Sequence, residues 1–217
     1  MSGAKILLAD IETAPIVGNT WGLWDQTIGL NQIEQEWAIL SFAAKPLGGS
    51  KGQTVYVDTF DKADKRDDFD LCTKLHALLD EYDFVVAQNG KRFDLRKIRA
   101  RLIMHGFQPH SPVKVIDTLL MAKQVAAFTS NKLEWLSEHL TNTPKEKHKN
   151  FPGFELWREF LRGNPKARTA MRKYNIRDID ALEQVYLKLR PWVSDHPNVN
   201  VYHDDNDEVR CKVCSSP

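Results

Sequence analysis

The chain has 217 residues, 42% of them hydrophobic, with 30 basic side chains against 29 acidic ones and a formal net charge of +1. That balance argues against a uniformly basic domain that coats phosphate and against an acidic disordered chain. The length suits one domain of medium size with a small appendage, and no apolar run approaches the ~20 residues that span a bilayer. The N-terminus leads into a short apolar run that meets a charge at Asp10, so it does not read as a signal peptide. Three cysteines are too few for a disulfide framework, and a cytoplasmic location is expected.

In chain order, Lys5 to Ile11 is apolar and reads as a buried strand with Asp10 and Glu12 at its C-terminal end. A Gly- and Trp-containing stretch follows from Val17 to Ile33. Trp37 to Lys45 and Thr54 to Val57 read as two more strands around a Gly-rich turn, completing a three-stranded meander. Asp67 or Asp68 is placed to cap a helix whose apolar face is Leu71, Leu75, Leu78 and Leu79. Phe84 to Ala87 is a short strand, Phe93 to Met104 a helix, and Val113 to Ile116 a strand before Asp117-Thr118 opens another helix. From there the chain reads as helical: a segment at Leu133, Leu136 and Leu140, one at Leu156, Phe160 and Leu161, and a long helix from about Ala167 to Leu189. Thr141 to Pro152 reads as an exposed Lys-rich loop, and the chain after Ser194 as a polar, irregular tail. The expected organisation is a domain over residues 1–193 and a tail over 194–217. Strands, then alternating helix and strand, then helices predict an α/β fold with helices on the faces of a mixed sheet.

Two strand residues two apart share a side, so the Asp10 and Glu12 carboxylates face one point. Two anions there repel unless a cation sits between them, and a hard divalent ion with oxygen ligands is the natural partner. Asp94 begins a helix just after a strand. Tyr174 and Asp178 are four apart on the last helix and share a face.

This ordered set resembles the DEDD superfamily of 3′–5′ exonucleases, which have a ribonuclease H-like fold. The first motif is Asp10-Ile11-Glu12-Thr13, the second Asn89-Gly90-Lys91-Arg92-Phe93-Asp94, and the third Tyr174-Asn175-Ile176-Arg177-Asp178. The tyrosine places the resemblance in the DEDDy branch, and Asp117-Thr118 looks like an accessory pair of the superfamily. The resemblance covers about residues 4 to 190. It is similar to stand-alone, phage-type exonucleases related to the proofreading domain of family B DNA polymerases. It implies a mixed sheet of five to six strands flanked by helices, with a helical C-terminal half. It also implies that Asp10, Glu12, Asp94 and Asp178 hold two Mg²⁺ or Mn²⁺ ions about 4 Å apart. Tyr174 would orient the attacking water, since a phenol with a reference pKa near about 10 is a poor base at neutral pH. The implied reaction shortens DNA from single-stranded 3′ ends to nucleoside 5′-monophosphates, in the cytoplasm of a bacterial or phage-infected cell. The implied partner is a DNA polymerase or other replication protein. An exoribonuclease of ribonuclease D type stands as the alternative substrate reading. A non-catalytic nucleic-acid-binding or polymerase-accessory module is the alternative of a different class, and the intact acid set argues against it.

Candidate nucleic-acid contacts are Thr13 and Asn89 in the motifs, Phe93, Trp24 beside Trp21, Lys145 and Lys147 in the polar loop, and Arg172 among the basic residues before Tyr174. Trp21 and Trp24 either stack on bases or pack in a core; Phe93 either touches nucleotide or packs under the site. The basic residues gather near the motifs, whereas acids crowd between Asp58 and Asp70. Cys211 and Cys214 form a Cys-x-x-Cys knuckle similar to a zinc ribbon cut after its first half-site. A closed zinc site needs four ligands, so zinc is not expected there.

Overall fold

The computed structural model describes residues 3–143, 150–202 and 211–214. Lys145 and Lys147 lie outside the described residues, so their assignment to nucleic-acid contact has no structural counterpart here.

A five-stranded mixed sheet forms the centre, in the order β5-β4-β1-β6-β7. Strand β1 (Ile6–Thr13) pairs antiparallel with β4 (Ile39–Pro46), and β4 pairs antiparallel with β5 (Val55–Asp58), which is the expected meander. On its other edge β1 pairs parallel with β6 (Phe84–Ala87), which pairs parallel with β7 (Lys114–Asp117). The Gly- and Trp-containing stretch holds a separate two-stranded sheet, β2 (Val17–Gly18) with β3 (Ile33–Gln35). The helices are α1 (Phe69–Glu81), α2 (Asp94–Met104), α3 (Thr118–Val125), α4 (Leu133–Leu140), α5 (Glu155–Leu161) and α6 (Pro165–Leu189).

The two-residue side-chain period divides β1 between two cores. Leu7, Ala9 and Ile11 face α1 and α2, packing with Leu71, Leu75, Leu95 and Ile98. Leu8 faces the other way, onto Ile179, Leu182, Val185 and Tyr186 of α6. Asp10 and Glu12 share the parity of Leu8, so the α6 face of the sheet receives both acids. Each fully buried aliphatic side chain in these layers contributes about 1.5–3 kcal/mol.

Helix α6 is started by Asn164, whose side chain accepts from the Lys166 N–H at 3.0 Å, with Pro165 in the first turn where its missing N–H is harmless. Its buried stripe runs Met171, Tyr174, Asn175, Asp178, Leu182, Val185 and Leu189. Buried Lys45 of β4 pairs with Glu183 at 2.5 Å, and the other Glu183 oxygen accepts from the Gly48 N–H at 2.8 Å, anchoring the helix to the β4–β5 turn.

Asp68 differs from its expected role. It stands at the α1 N-cap but makes no capping bond; Asp67 accepts from the Phe69 N–H instead. The Asp68 carboxylate turns inward and accepts from Arg101 Nε and Nη2, both at 2.7 Å, from the Ile39 N–H at 2.8 Å, and lies 2.6 Å from His105 Nε2. An apolar pattern cannot foretell this, because the partner guanidinium comes from another helix. Residues 195–202 also make packing contacts that a polar, irregular tail does not suggest. Val199 joins the core, Tyr202 packs edge-on against Phe84, and His196 Nε2 lies 2.9 Å from the Tyr186 hydroxyl.

Candidate active site

The site forms at the C-terminal end of β1, where the antiparallel half of the sheet meets the parallel half. This strand end is the usual ligand position in open α/β sheets. The register sets Asp10 opposite Ala43 and Glu12 opposite Ser41, and the pairing shifts between Glu12 and Thr13. Helix α6 lies over this end, and its 3.6-residue period points Tyr174 and Asp178 the same way. Ligand oxygens of Asp10, Glu12 and Asp178 fall within 4.8 Å of one another.

Asp94 arrives from the other side. The Asn89-Gly90 turn after β6 carries Asn89 in the left-handed region (φ 61°), a conformation asparagine tolerates better than most residues. A Cβ on Gly90 would lie 2.6 Å from the Ala87 Cβ, so only glycine fits that close approach. Asp117 clamps the turn, accepting from the Asn89 and Lys91 N–H groups at 3.0 Å each while also capping α3. Of the accessory Asp-Thr pair, Asp117 thus acts on the backbone of the second motif, and Thr118 donates to the side-chain Oε1 of Gln88, the residue before that motif, at 2.6 Å.

That turn drops the first residue of α2, Asp94, into the interior at 3% exposure, where it accepts from the Ile11 N–H at 3.3 Å. Burial first, and then the charge of Asp10, raises the Asp94 carboxyl well above the usual carboxylate range. Crowded carboxylates, all oxygen donors, suit a hard divalent ion and would be costly together without one.

A second group with ligand chemistry, Asp68, Cys72 and His105, has a different character. The Arg101 guanidinium already neutralises Asp68, and burial pushes the Cys72 thiol up to about 12, so it stays protonated.

Two aromatic side chains that sequence reasoning passed over complete the surroundings. Trp157 of α5 donates its indole N–H to Glu12 Oε2 at 3.0 Å and packs edge-on against Tyr174. With Phe154 it borders an open cleft of about 360 Å³ that is also lined by Ile11, Glu12, Thr13, Pro15 and Phe93. Thr13 and Phe93 are thus brought to the acids. No motif spacing marks Trp157 or Phe154, since α5 reaches Glu12 only through the fold.

The other expected contacts are dispersed. Trp21 and Trp24 are almost fully exposed, at 99% and 82%, and do not pack in a core. Arg172 lies over the Tyr56 ring in a separate cleft with Lys74 and Arg168, away from the Glu12 cleft. The expected separation of basic and acidic runs is corrected by pairing: Arg168 bridges to Asp58 at 3.0 Å and Asp61 at 2.7 Å, while Arg158 and Arg162 pair with Glu155 and Glu159 on α5. Charges distant in sequence meet across the β5–α6 contact, where composition alone cannot place them. Cys211 and Cys214 are exposed and form no disulfide.

The RNase H superfamily model matches residues 10–190. The chain belongs to the RNase H superfamily. The matched span begins at Asp10 and encloses every acid of the cluster. Among solved structures, this superfamily member resembles the family B DNA polymerase of the hyperthermophilic archaeon Pyrobaculum calidifontis, with a TM-score of 0.58 and 15% identity over 88% of this chain and 26% of the polymerase. The chain therefore spans about a quarter of that polymerase, and at this identity the likeness is one of fold. No curated protein matches. Among the described residues no helix is long and apolar enough to cross a membrane. Superfamily membership and the acid cluster together support nuclease activity.

Proposed function

We propose that the chain is a divalent-metal-dependent 3′–5′ exonuclease acting on DNA, preferably at single-stranded 3′ ends, and releasing nucleoside 5′-monophosphates. The observation that carries this reading is the convergence of the Asp10, Glu12 and Asp178 oxygens within 4.8 Å, with buried Asp94 beside them. Divalent ions held by these acids would supply an activated water and compensate charge at the scissile phosphate and the leaving 3′-oxygen.

The protein's own side chains do the remaining work. Tyr174, held against Trp157 and one helical turn from Asp178, presents a hydroxyl to orient the attacking water. The cleft beside Glu12 offers aromatic faces to the terminal bases through Phe93 and Phe154, both partly exposed. An ordinary surface lacks both features, and their adjacency favours an end-trimming enzyme over a module that only binds.

The test uses 5′-labelled DNA and RNA oligonucleotides, single- and double-stranded, with Mg²⁺, Mn²⁺ or EDTA. The expected result is a ladder of DNA shortening from the 3′ end with metal and none in EDTA. Asp10→Ala and Asp178→Ala should abolish it while the fold, read by circular dichroism, is retained. Shortening of RNA alone would replace DNA by the ribonuclease D-type reading, and no shortening with any metal would leave a binding module.

A further inference from the structure

We infer that Asn175, backed by Ser41, is a positioning residue that holds the Asp10 carboxylate facing the metal site. This rests on the reading of Asp10 as a metal ligand. Both residues are fully buried, at 0% exposure. Ser41 lies on β4 directly opposite Glu12, on the face covered by α6. Its hydroxyl donates to Asn175 Oδ1 at 3.1 Å. Asn175 Nδ2 then donates to Asp10 Oδ2 at 2.6 Å and to the Asp10 backbone carbonyl at 3.3 Å.

The chemistry of the three groups makes this arrangement directional. A carboxamide has an oxygen that only accepts and a nitrogen that only donates. Both Asp10 atoms it meets are acceptors, so the amide nitrogen must face Asp10 and the amide oxygen must face the hydroxyl. Turned around, Asn175 would set its oxygen against an anion and leave Ser41 opposite an N–H₂. The two Asp10 acceptors thus select the orientation of Asn175, Ser41 supplies a donor to its oxygen, and Asn175 grips Asp10 by side chain and main chain at once.

The grip matters because of what else surrounds Asp10. The Glu12 and Asp178 carboxylates crowd it, and their repulsion favours an Asp10 rotated away from them. Asn175 opposes this by holding one Asp10 oxygen and the Asp10 main-chain carbonyl in place. Its amide nitrogen has no lone pair for a metal, so its action is through Asp10. Groups that orient a metal ligand in this way typically contribute about 10–100-fold in metal affinity or activity.

The experiment measures Mn²⁺ binding by calorimetry without nucleic acid for the wild-type chain, Asn175→Ala, Ser41→Ala and Asp10→Ala. In parallel, cleavage of a labelled DNA oligonucleotide is followed against Mn²⁺ concentration, with folding checked by circular dichroism. Asn175→Ala is expected to bind Mn²⁺ about tenfold or more weakly, with cleavage recovering as Mn²⁺ is raised. Ser41→Ala should weaken Mn²⁺ in the same direction but less. A folded Asn175→Ala with wild-type Mn²⁺ affinity overturns the inference. If Asn175→Ala does not fold, Ser41→Ala, which removes one hydroxyl, decides: wild-type affinity there overturns it, and weakened affinity supports it. A wild-type chain that cleaves nothing, yet loses Mn²⁺ affinity with Asn175→Ala, keeps the positioning role and removes the exonuclease reading. Cleavage with Mn²⁺ affinity indifferent to Asn175 does the reverse, and a wild-type chain that binds no Mn²⁺ overturns both.

Discussion

The indole N–H of Trp157 donates to Glu12 Oε2 at 3.0 Å, tying helix α5 to an acid at the end of the first strand. The bond fixes one Glu12 oxygen and leaves the carboxylate aimed at Asp10 and Asp178. Trp157→Phe keeps the aromatic bulk and deletes the donor. It should weaken Mn²⁺ binding and slow cleavage by about tenfold, while a single lost hydrogen bond lowers stability by only about 1 kcal/mol. Calorimetry and a thermal melt read the two effects separately; unchanged metal affinity would reduce Trp157 to a packing residue.

Phe154 is exposed on the rim of the same cleft and makes no bond to an acid. Stacking on a base contributes about 1–3 kcal/mol, so Phe154→Ala should raise KM for a single-stranded oligonucleotide by about tenfold. Because the side chain has no polar atom to hold a metal or one of its ligands, kcat and Mn²⁺ affinity should stay near wild type. Steady-state kinetics across oligonucleotide concentration would reveal a fall in kcat with constant KM, the pattern that contradicts this assignment.

Asp94 is a buried acid of the cluster, and its carboxyl is pushed upward by burial and then by the charge of Asp10. In EDTA at neutral pH its ionised form works against folding. Asp94→Asn removes that charge at nearly constant shape and keeps an acceptor for the Ile11 N–H. The variant should melt higher than wild type in EDTA and lose cleavage by more than the roughly 10–100-fold typical of residues that only support a ligand. A lower melting temperature in EDTA would mean that the acid stabilises the fold without metal.

The Asp68–Arg101 pair sets an acid limit on stability. Burial raises the Asp68 carboxyl, but hydrogen bonds from Arg101, His105 and the Ile39 N–H outweigh it and hold the group below the usual carboxylate range. A depressed folded pKa contributes stability that is complete above the unfolded value of about 3.9 and is lost as pH falls through the lower folded value. Asp68→Asn should destabilise by about 3–5 kcal/mol at pH 7, since it leaves Arg101 buried without its charge partner. The gap between wild type and variant should narrow below about pH 4. Urea denaturation from pH 3 to 7 checks it, and a constant gap would show that Asp68 ionisation is not linked to folding.

Much of the site was legible in order but not in contact. The apolar run of β1 with acids at its end, the strand–turn–helix around Asn89-Gly90 and the four-residue spacing of Tyr174 and Asp178 are local patterns, and local patterns survive in a sequence. Ser41 gave no signal, because its meaning depends on the β1–β4 register that sets it opposite Glu12. Asn175 was visible only as a neighbour of Tyr174. Arg168 is one of the basic residues before Tyr174, and nothing local shows that its partners Asp58 and Asp61 are brought to it across the fold. Asp68 looked like a cap for the same reason: a helix-start acid and an ion-pair acid are written identically.

Asp10 belongs to the first strand of the fold and Asp178 to its last long helix. Asp178 therefore joins Asp10, Glu12 and Asp94 only when α6 settles onto β1 and β4. A state without that docking escapes the repulsion of Asp178, and the docking of α6 carries it. Magnesium or manganese held by these acids would then act as a ligand of α6 docking, tightening the helix onto the sheet.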